Sequence, residues 1–134
     1  MVLCTTVAQV KEKEKEIRRS EISWLFPAPE TEWLYRKITD VILMANSSNY
    51  NFNLLGIETL QFSSYKAGEL GHYGKHKDTT QSDVVRTNRK LSFTLQLSDP
   101  STYEGGDVLM TTLNESEPTT RTKGSMIFSH QPNA

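Results

Sequence analysis

The sequence predicts a mainly β fold with packing helices, of the jelly-roll or barrel kind. Three observations carry this expectation. Residues 89–98, RKLSFTLQLS, alternate apolar and polar side chains, the period-2 signature of a strand with one apolar face. Short apolar runs recur along the chain, separated by Pro, Gly, Asn and Asp, which reads as strands joined by turns. Helical spacing of apolar residues is clearest in one stretch, residues 32–45, so the chain lacks the alternating strands and helices of βαβ units.

Taken in order, residues 11–19, KEKEKEIRR, form a charge run with like charges at i,i+4, a mixed signal for a helix and most simply a solvated face. Arg18 and Arg19 could touch a phosphate, but two arginines do not make a patch. Residues 22–26 are an apolar run closed by Pro27 and Pro29, a strand end followed by an extended turn. Thr31 is placed to cap the helix that follows. Leu34, Ile38, Val41, Ile42 and Ala45 make its apolar stripe, and the turn Asn46-Ser47-Ser48-Asn49 is expected to end it. Residues 50–65 read as strands broken by Gly56. Gly68, Gly71 and Gly74 then allow tight turns and close backbone approach. Residues 79–88 are polar and aperiodic and read as a mobile loop.

In the 89–98 strand, Leu91, Phe93, Leu95 and Leu97 form a face expected to cover the helix. Lys90, Ser92, Thr94, Gln96 and Ser98 face solvent or line a polar pocket. A strand over 108–113, a polar loop over 114–123 containing Pro118, and a last strand over 125–128 complete the pattern. The whole chain, residues 1–134, reads as one domain, with a helix and strand region over about 1–50 and jelly-roll strands over about 51–129.

Composition narrows the function. There are 134 residues, enough for a real core, with 15 Lys+Arg against 16 Asp+Glu and a formal net charge of -1. That balance exerts no long-range pull on nucleic acid or an anionic membrane. Cys4 is the only cysteine, so no intramolecular disulfide can form, which fits a reducing compartment. The first residues are too acidic and their apolar run too short for a signal peptide. No run approaches the ~20 apolar residues of a membrane span. The expectation is a cytoplasmic protein.

The chemistry concentrates in residues 65–78, YKAGELGHYGKHKD. In an extended chain, residues i and i+2 share a face, so His76 and Asp78 can point at one spot while Lys77 points away. An imidazole with a carboxylate suits non-haem Fe(II), which is held by two His and one carboxylate on one side and open on the other. His76 neutral and Asp78 ionised at pH 7 could both ligate with no proton penalty. His72 lies four residues before His76, but the three glycines argue against the helix that would bring the two together, so His72 reads as pocket rim or surface.

Several segments in order, Tyr65 with Gly71-His72-Tyr73-Gly74-x-His76-x-Asp78, then RKLSFTLQLSDP, then Tyr103-Glu104-Gly105-Gly106-Asp107, then Lys123-Gly124-Ser125, together resemble the 2-oxoglutarate/Fe(II)-dependent dioxygenases. The similarity is to the prolyl-4-hydroxylase-like group of bacteria and phages. Arg19-Ser20-x-x-x-Trp24 and Asn53-Leu54…Gln61 also match, so the resemblance spans about residues 18–128. It implies a double-stranded β-helix with a metal at its mouth, incomplete here at the C-terminus. It implies hydroxylation of a C–H bond, often of a prolyl residue in a peptide, coupled to O2-dependent decarboxylation of 2-oxoglutarate to succinate. It implies Fe(II) and 2-oxoglutarate, with ascorbate as an optional cofactor, and a peptide or small-molecule substrate. Carried over position by position, His76 and Asp78 match the first two iron ligands, and Tyr65, Tyr73 and Gln96 match pocket residues for 2-oxoglutarate. No further catalytic residue is assigned.

The chain departs from the family at its end. The resemblance implies a distal His beyond the Gly-Ser strand and a later basic residue for 2-oxoglutarate. After Phe128 only Ser129, His130, Gln131, Pro132, Asn133 and Ala134 remain. The third ligand is therefore missing, with His130 as its one candidate, two residues after the strand phenylalanine. The sequence reads as a C-terminally truncated member, with a degenerate, non-catalytic jelly-roll binding module as the alternative. A cupin-like metal protein would need more histidines. Little or no turnover is expected of these 134 residues alone.

Overall fold

The computed structural model describes residues 18–78, 89–113 and 115–130. The charge run over 11–17 and the expected loop over 79–88 lie outside the described residues. Among the described residues the strands form four antiparallel pairs. β1 (Arg18–Arg19) pairs with β4 (His72–Tyr73), and β2 (Glu21–Leu25) with β3 (Leu60–Ser64). β5 (Leu91–Leu95) pairs with β8 (Met126–His130), and β6 (Leu109–Thr111) with β7 (Ser116–Pro118). Among the described residues one α-helix, α1 (Glu32–Asn49), accompanies them. The fold is mainly β, built of small sheets. β1 and β2 pair with strands beyond residue 50.

α1 begins where the sequence predicts and ends later. Thr31 occupies the position before the helix, but its hydroxyl turns back, donating to Phe26 C=O and accepting from Ala28 N–H. It fastens the Pro27–Pro29 turn instead of capping the helix. The Asn46–Asn49 stretch, expected as a turn, is helical. Its side chains satisfy carbonyls of their own helix: Ser47 Oγ donates to Met44 O, and Asn49 Nδ2 to Ala45 O. Termination falls at Asn51, whose φ of 57° is left-handed, a conformation asparagine tolerates better than most residues.

The Asn46 amide also grips both the N–H and C=O of Phe52, at 2.9 Å each. That backbone is thereby paired with a side chain rather than a neighbouring strand. Of the expected strands over 50–65, only β3 forms.

The core is Ile38 of α1, Leu60 of β3 and Phe93 of β5, with Leu25, Leu34, Tyr35, Ile42, Ile57, Met126 and Phe128 packed around them. Val41, expected in the helix stripe, is exposed. Tyr35 ties the layers together: its hydroxyl donates to Leu25 O at 2.6 Å and accepts from Leu60 N at 3.0 Å.

β5 is buried on both faces. Phe93 packs into the helix-side core, while Ser92 and Thr94 are 4% and 6% exposed. The polar residues of its alternation therefore line an interior rather than meet solvent. Leu97, expected on the apolar face, lies past the strand end and is exposed. β8 runs two residues beyond the expected limit, to His130. Within the expected 114–123 loop, β7 forms a short exposed strand against β6, with Pro118 at its end, where a missing N–H is tolerated.

Candidate metal centre

The loop that carries the His-x-Asp pair is set by a tight turn. A 3-10 turn over Ala67–Glu69 leads to Leu70 at φ 53° and then Gly71. A Cβ on Gly71 would fall 2.8 Å from Lys66 N and 3.0 Å from Tyr65 Cα. Only glycine lets the chain fold back this closely. The return places His72 and Tyr73 opposite Arg19 and Arg18 in the β1–β4 pair, and His76 and Asp78 follow directly.

His76 and Asp78 meet. The imidazole Nε2 lies 3.1 Å from Asp78 Oδ1, and Nδ1 lies 2.8 Å from Gly74 O. A carbonyl only accepts, so Nδ1 carries a hydrogen. Nε2 is left as the nitrogen that faces the carboxylate. When the ring is protonated, it does so as a donor. Burial pushes the His76 pKa down, but the hydrogen bonds to Asp78 and Gly74 and the Asp78 charge outweigh it, and the pKa is raised above 6.5. For Asp78, burial pushes upward, yet the hydrogen bonds from His76 and Ser92 and the charges of His76 and Arg89 hold it below 3.8. A metal ion at Nε2 would compete with the proton that this nitrogen carries when the ring is protonated.

The same arrangement fits a divalent cation. Two donors at right angles, each about 2.1 Å from one metal, would stand roughly 3.0 Å apart. The backbone carbonyl on Nδ1 orients the ring as ligating imidazoles are oriented. The two side chains are 18% and 12% exposed, sheltered but reachable.

Beside Asp78 lies a cavity of about 30 Å³, lined by Asp78 together with Ser92, Thr94, Val108, Ile127 and Ser129 among others. On its other side, the Tyr73 ring stacks on His76 with centroids 3.8 Å apart, and the Arg18 guanidinium lies 4.6 Å from the Tyr73 centroid. Burial raises the Tyr73 pKa above 10, so the phenol stays neutral.

The remaining candidate residues divide. Tyr73 joins the site; Tyr65 precedes the turn, half-buried. Gln96 lies just past β5, its backbone bonded to Ser125 O and Gly124 N, and it is not among the residues lining the Asp78 cavity. His130 is on the wrong side of the sheet. It pairs with Leu91, on the face of Phe93 and Phe128, and its ring lies 5.4 Å from Tyr50 and 6.3 Å from Phe52. Ser129, its neighbour, is the residue that reaches the Asp78 cavity. Among the described residues no cluster of three or more His, Cys, Asp or Glu side chains converges. His72, expected at a pocket rim or the surface, is buried, with Nδ1 2.9 Å from Leu70 O.

Two contributors escaped the sequence reading. Ser92 was visible only as one of several polar residues in an alternating strand. Arg18 gave no local signal, because its partners Gln61 and Ser63 lie 43 and 45 residues away.

The mainly β chain thus presents a sheltered His-x-Asp pair. Residues 60–133 match the 2OG-Fe(II) oxygenase superfamily, and the chain belongs to that family. A PKHD-type hydroxylase of Prochlorococcus marinus (strain NATL2A) is 35% identical over 96 residues, covering 69% of this chain and 42% of the relative. A PKHD-type hydroxylase of Picosynechococcus sp. (strain ATCC 27264 / PCC 7002 / PR-6) is 41% identical over 54 residues, 40% of this chain and 23% of the relative. One from Synechococcus sp. (strain JA-3-3Ab) is 34% identical over 88 residues, 60% of this chain and 38% of the relative. The chain thus spans less than half the length of these curated relatives. No solved structure matches it significantly. Among the described residues no helix is long and apolar enough to cross a membrane.

Proposed function

We propose that this chain carries the first half of the iron site of a 2-oxoglutarate- and Fe(II)-dependent hydroxylase acting on a prolyl-type peptide substrate. The observation that carries the reading is the His76–Asp78 contact on an imidazole anchored by Gly74. His76 Nε2 and Asp78 Oδ1 would hold Fe(II), and Ser92 steadies the carboxylate from β5. Fe(II), 2-oxoglutarate and O2 together supply the oxidising power for C–H hydroxylation, with succinate and CO2 as the accompanying products. Tyr65, Tyr73 and Gln96 are the residues proposed to meet 2-oxoglutarate. The four antiparallel pairs are pieces a double-stranded β-helix would use. The lone cysteine supports a reducing, cytoplasmic setting, and ascorbate would serve as an optional reductant.

A second reading rests on one observation: no third His, Asp or Glu joins the pair among the described residues. On that reading the chain is a binding module of the family that does not turn over.

Anaerobic titration with Fe(II) and 2-oxoglutarate, followed by visible absorption, separates the two. A weak charge-transfer band that disappears in His76→Ala supports the hydroxylase site. A flat spectrum sinks it for this chain and leaves the binding module.

A further inference from the structure

We infer that Arg18 is a positioning residue for His76, acting through the Tyr73 ring; the inference rests on His76 being a metal-holding residue. Arg18 and Tyr73 are direct cross-strand partners in the β1–β4 pair. The guanidinium lies over one face of the ring, 4.6 Å from its centroid, and the ring stacks on the imidazole at 3.8 Å and 22°. Three side chains hold the guanidinium in turn. Arg18 Nε donates to Ser20 Oγ at 2.7 Å, and Nη2 donates to Gln61 Oε1 at 2.9 Å and Ser63 Oγ at 2.7 Å. Gln61 is itself buried and sits on β3, beside the helix-side core.

The arrangement answers a mechanical need. β4 is two residues long, and the described residues that follow it, 74–78, form no strand. Two backbone pairs alone fix such a segment poorly. The Arg18 fork, planar and rigid, ties the β1–β4 pair to the β2–β3 sheet and gives Tyr73 a fixed platform. His76 is then held from three directions, by the Gly74 carbonyl on Nδ1, by Asp78 at Nε2 and by the ring on its face. The guanidinium has no carboxylate partner among the described residues; neutral oxygens and the ring face surround it.

The test uses the full chain with Arg18→Gln and Arg18→Lys, and Arg36→Gln as a control that removes the same charge from the exposed face of α1. Two readouts are taken. In metal-free protein, the ring-current shift of the His76 carbon-bound protons reports the Tyr73 stack. In anaerobic titration, Co(II) affinity reports the ligand geometry. The expected result is loss of the ring-current shift in Arg18→Gln, a fall in Co(II) affinity of about tenfold or more, partial recovery in Arg18→Lys, and no change in Arg36→Gln. A folded Arg18→Gln protein with an unmoved His76 shift overturns the inference, as does unchanged Co(II) affinity. Should the wild-type chain bind no Co(II), the metal reading of the site falls, and the His76 shift alone still decides whether Arg18 sets the ring. Should Arg18→Gln fail to fold, the shift and affinity in Arg18→Lys decide: wild-type values in both overturn the inference, because lysine cannot supply the three-point fork.

Discussion

Leu91 and His130 face each other across the β5–β8 pair, and this register turns His130 away from Asp78. Side chains alternate across a strand, so neighbouring Ser129 reaches the Asp78 cavity while His130 packs near Tyr50 and Phe52.

That register predicts the result of removing each histidine. His130→Ala is expected to leave Co(II) affinity within about twofold of wild type, whereas His76→Ala should lower it by about tenfold or more. Isothermal titration under argon checks both. A large loss in His130→Ala would mean that the strand slips or turns over when metal binds.

The His76–Asp78 pair predicts a pH profile for the chelated, metal-free chain. The His76 pKa is raised above 6.5, so its stabilising contribution is complete below pH 6.5 and lost as pH rises through the folded-state value. The Asp78 pKa is lowered below 3.8, so its contribution is complete above pH 3.8 and lost as pH falls through the folded-state value. Between those limits the pair contributes fully. Thermal melts of wild type and His76→Ala should therefore differ most within this window and converge on the alkaline side. A difference that grows with rising pH would contradict the donor role of Nε2.

Metal affinity should follow the opposite trend. A proton on His76 Nε2 competes with a metal ion for that nitrogen, so Co(II) binding is expected to weaken as pH falls through the His76 titration, with proton release on binding. Titration in two buffers of different ionisation enthalpy counts the protons. Binding without proton release near pH 6 would show that Nε2 is already bare.

Tyr35 is predicted to matter more for its oxygen than for its ring. Its hydroxyl joins Leu25 O and Leu60 N, the residues opposed at the end of the β2–β3 ladder. Tyr35→Phe leaves both groups short of a partner and should cost about 1–3 kcal/mol. Urea unfolding measures it, and an unchanged midpoint would mean that water replaces the hydroxyl at no loss.

Leu60, 1% exposed at the centre of the core, sets the scale for packing. Leu60→Ala should cost about 2–5 kcal/mol, and the same unfolding series checks it. A cost below that of Tyr35→Phe would place the core elsewhere.

Much of this was legible in the chain itself. The helix start at residue 32, the alternation of residues 91–95 and the meeting of His76 with Asp78 all follow from local periodicity, because neighbours two, three or four positions apart are placed by the backbone alone. Gly71 was legible as a close approach, though not what it approached. The late end of α1 was hidden, since Asn46 looks like a turn residue until Phe52 is there to be gripped.

What the sequence by itself determined is the pair of donors and the strand behind them. What only the tertiary structure decided is everything that depends on which strands lie side by side. The β5–β8 register assigns Ser129, not His130, to the Asp78 side, and the β1–β4 pairing lays Arg18 over Tyr73. The physical reason is the range of the forces. Propensity and spacing act over a few residues, whereas register and burial are settled by packing between segments tens of residues apart, and a one-residue shift would have reversed either assignment.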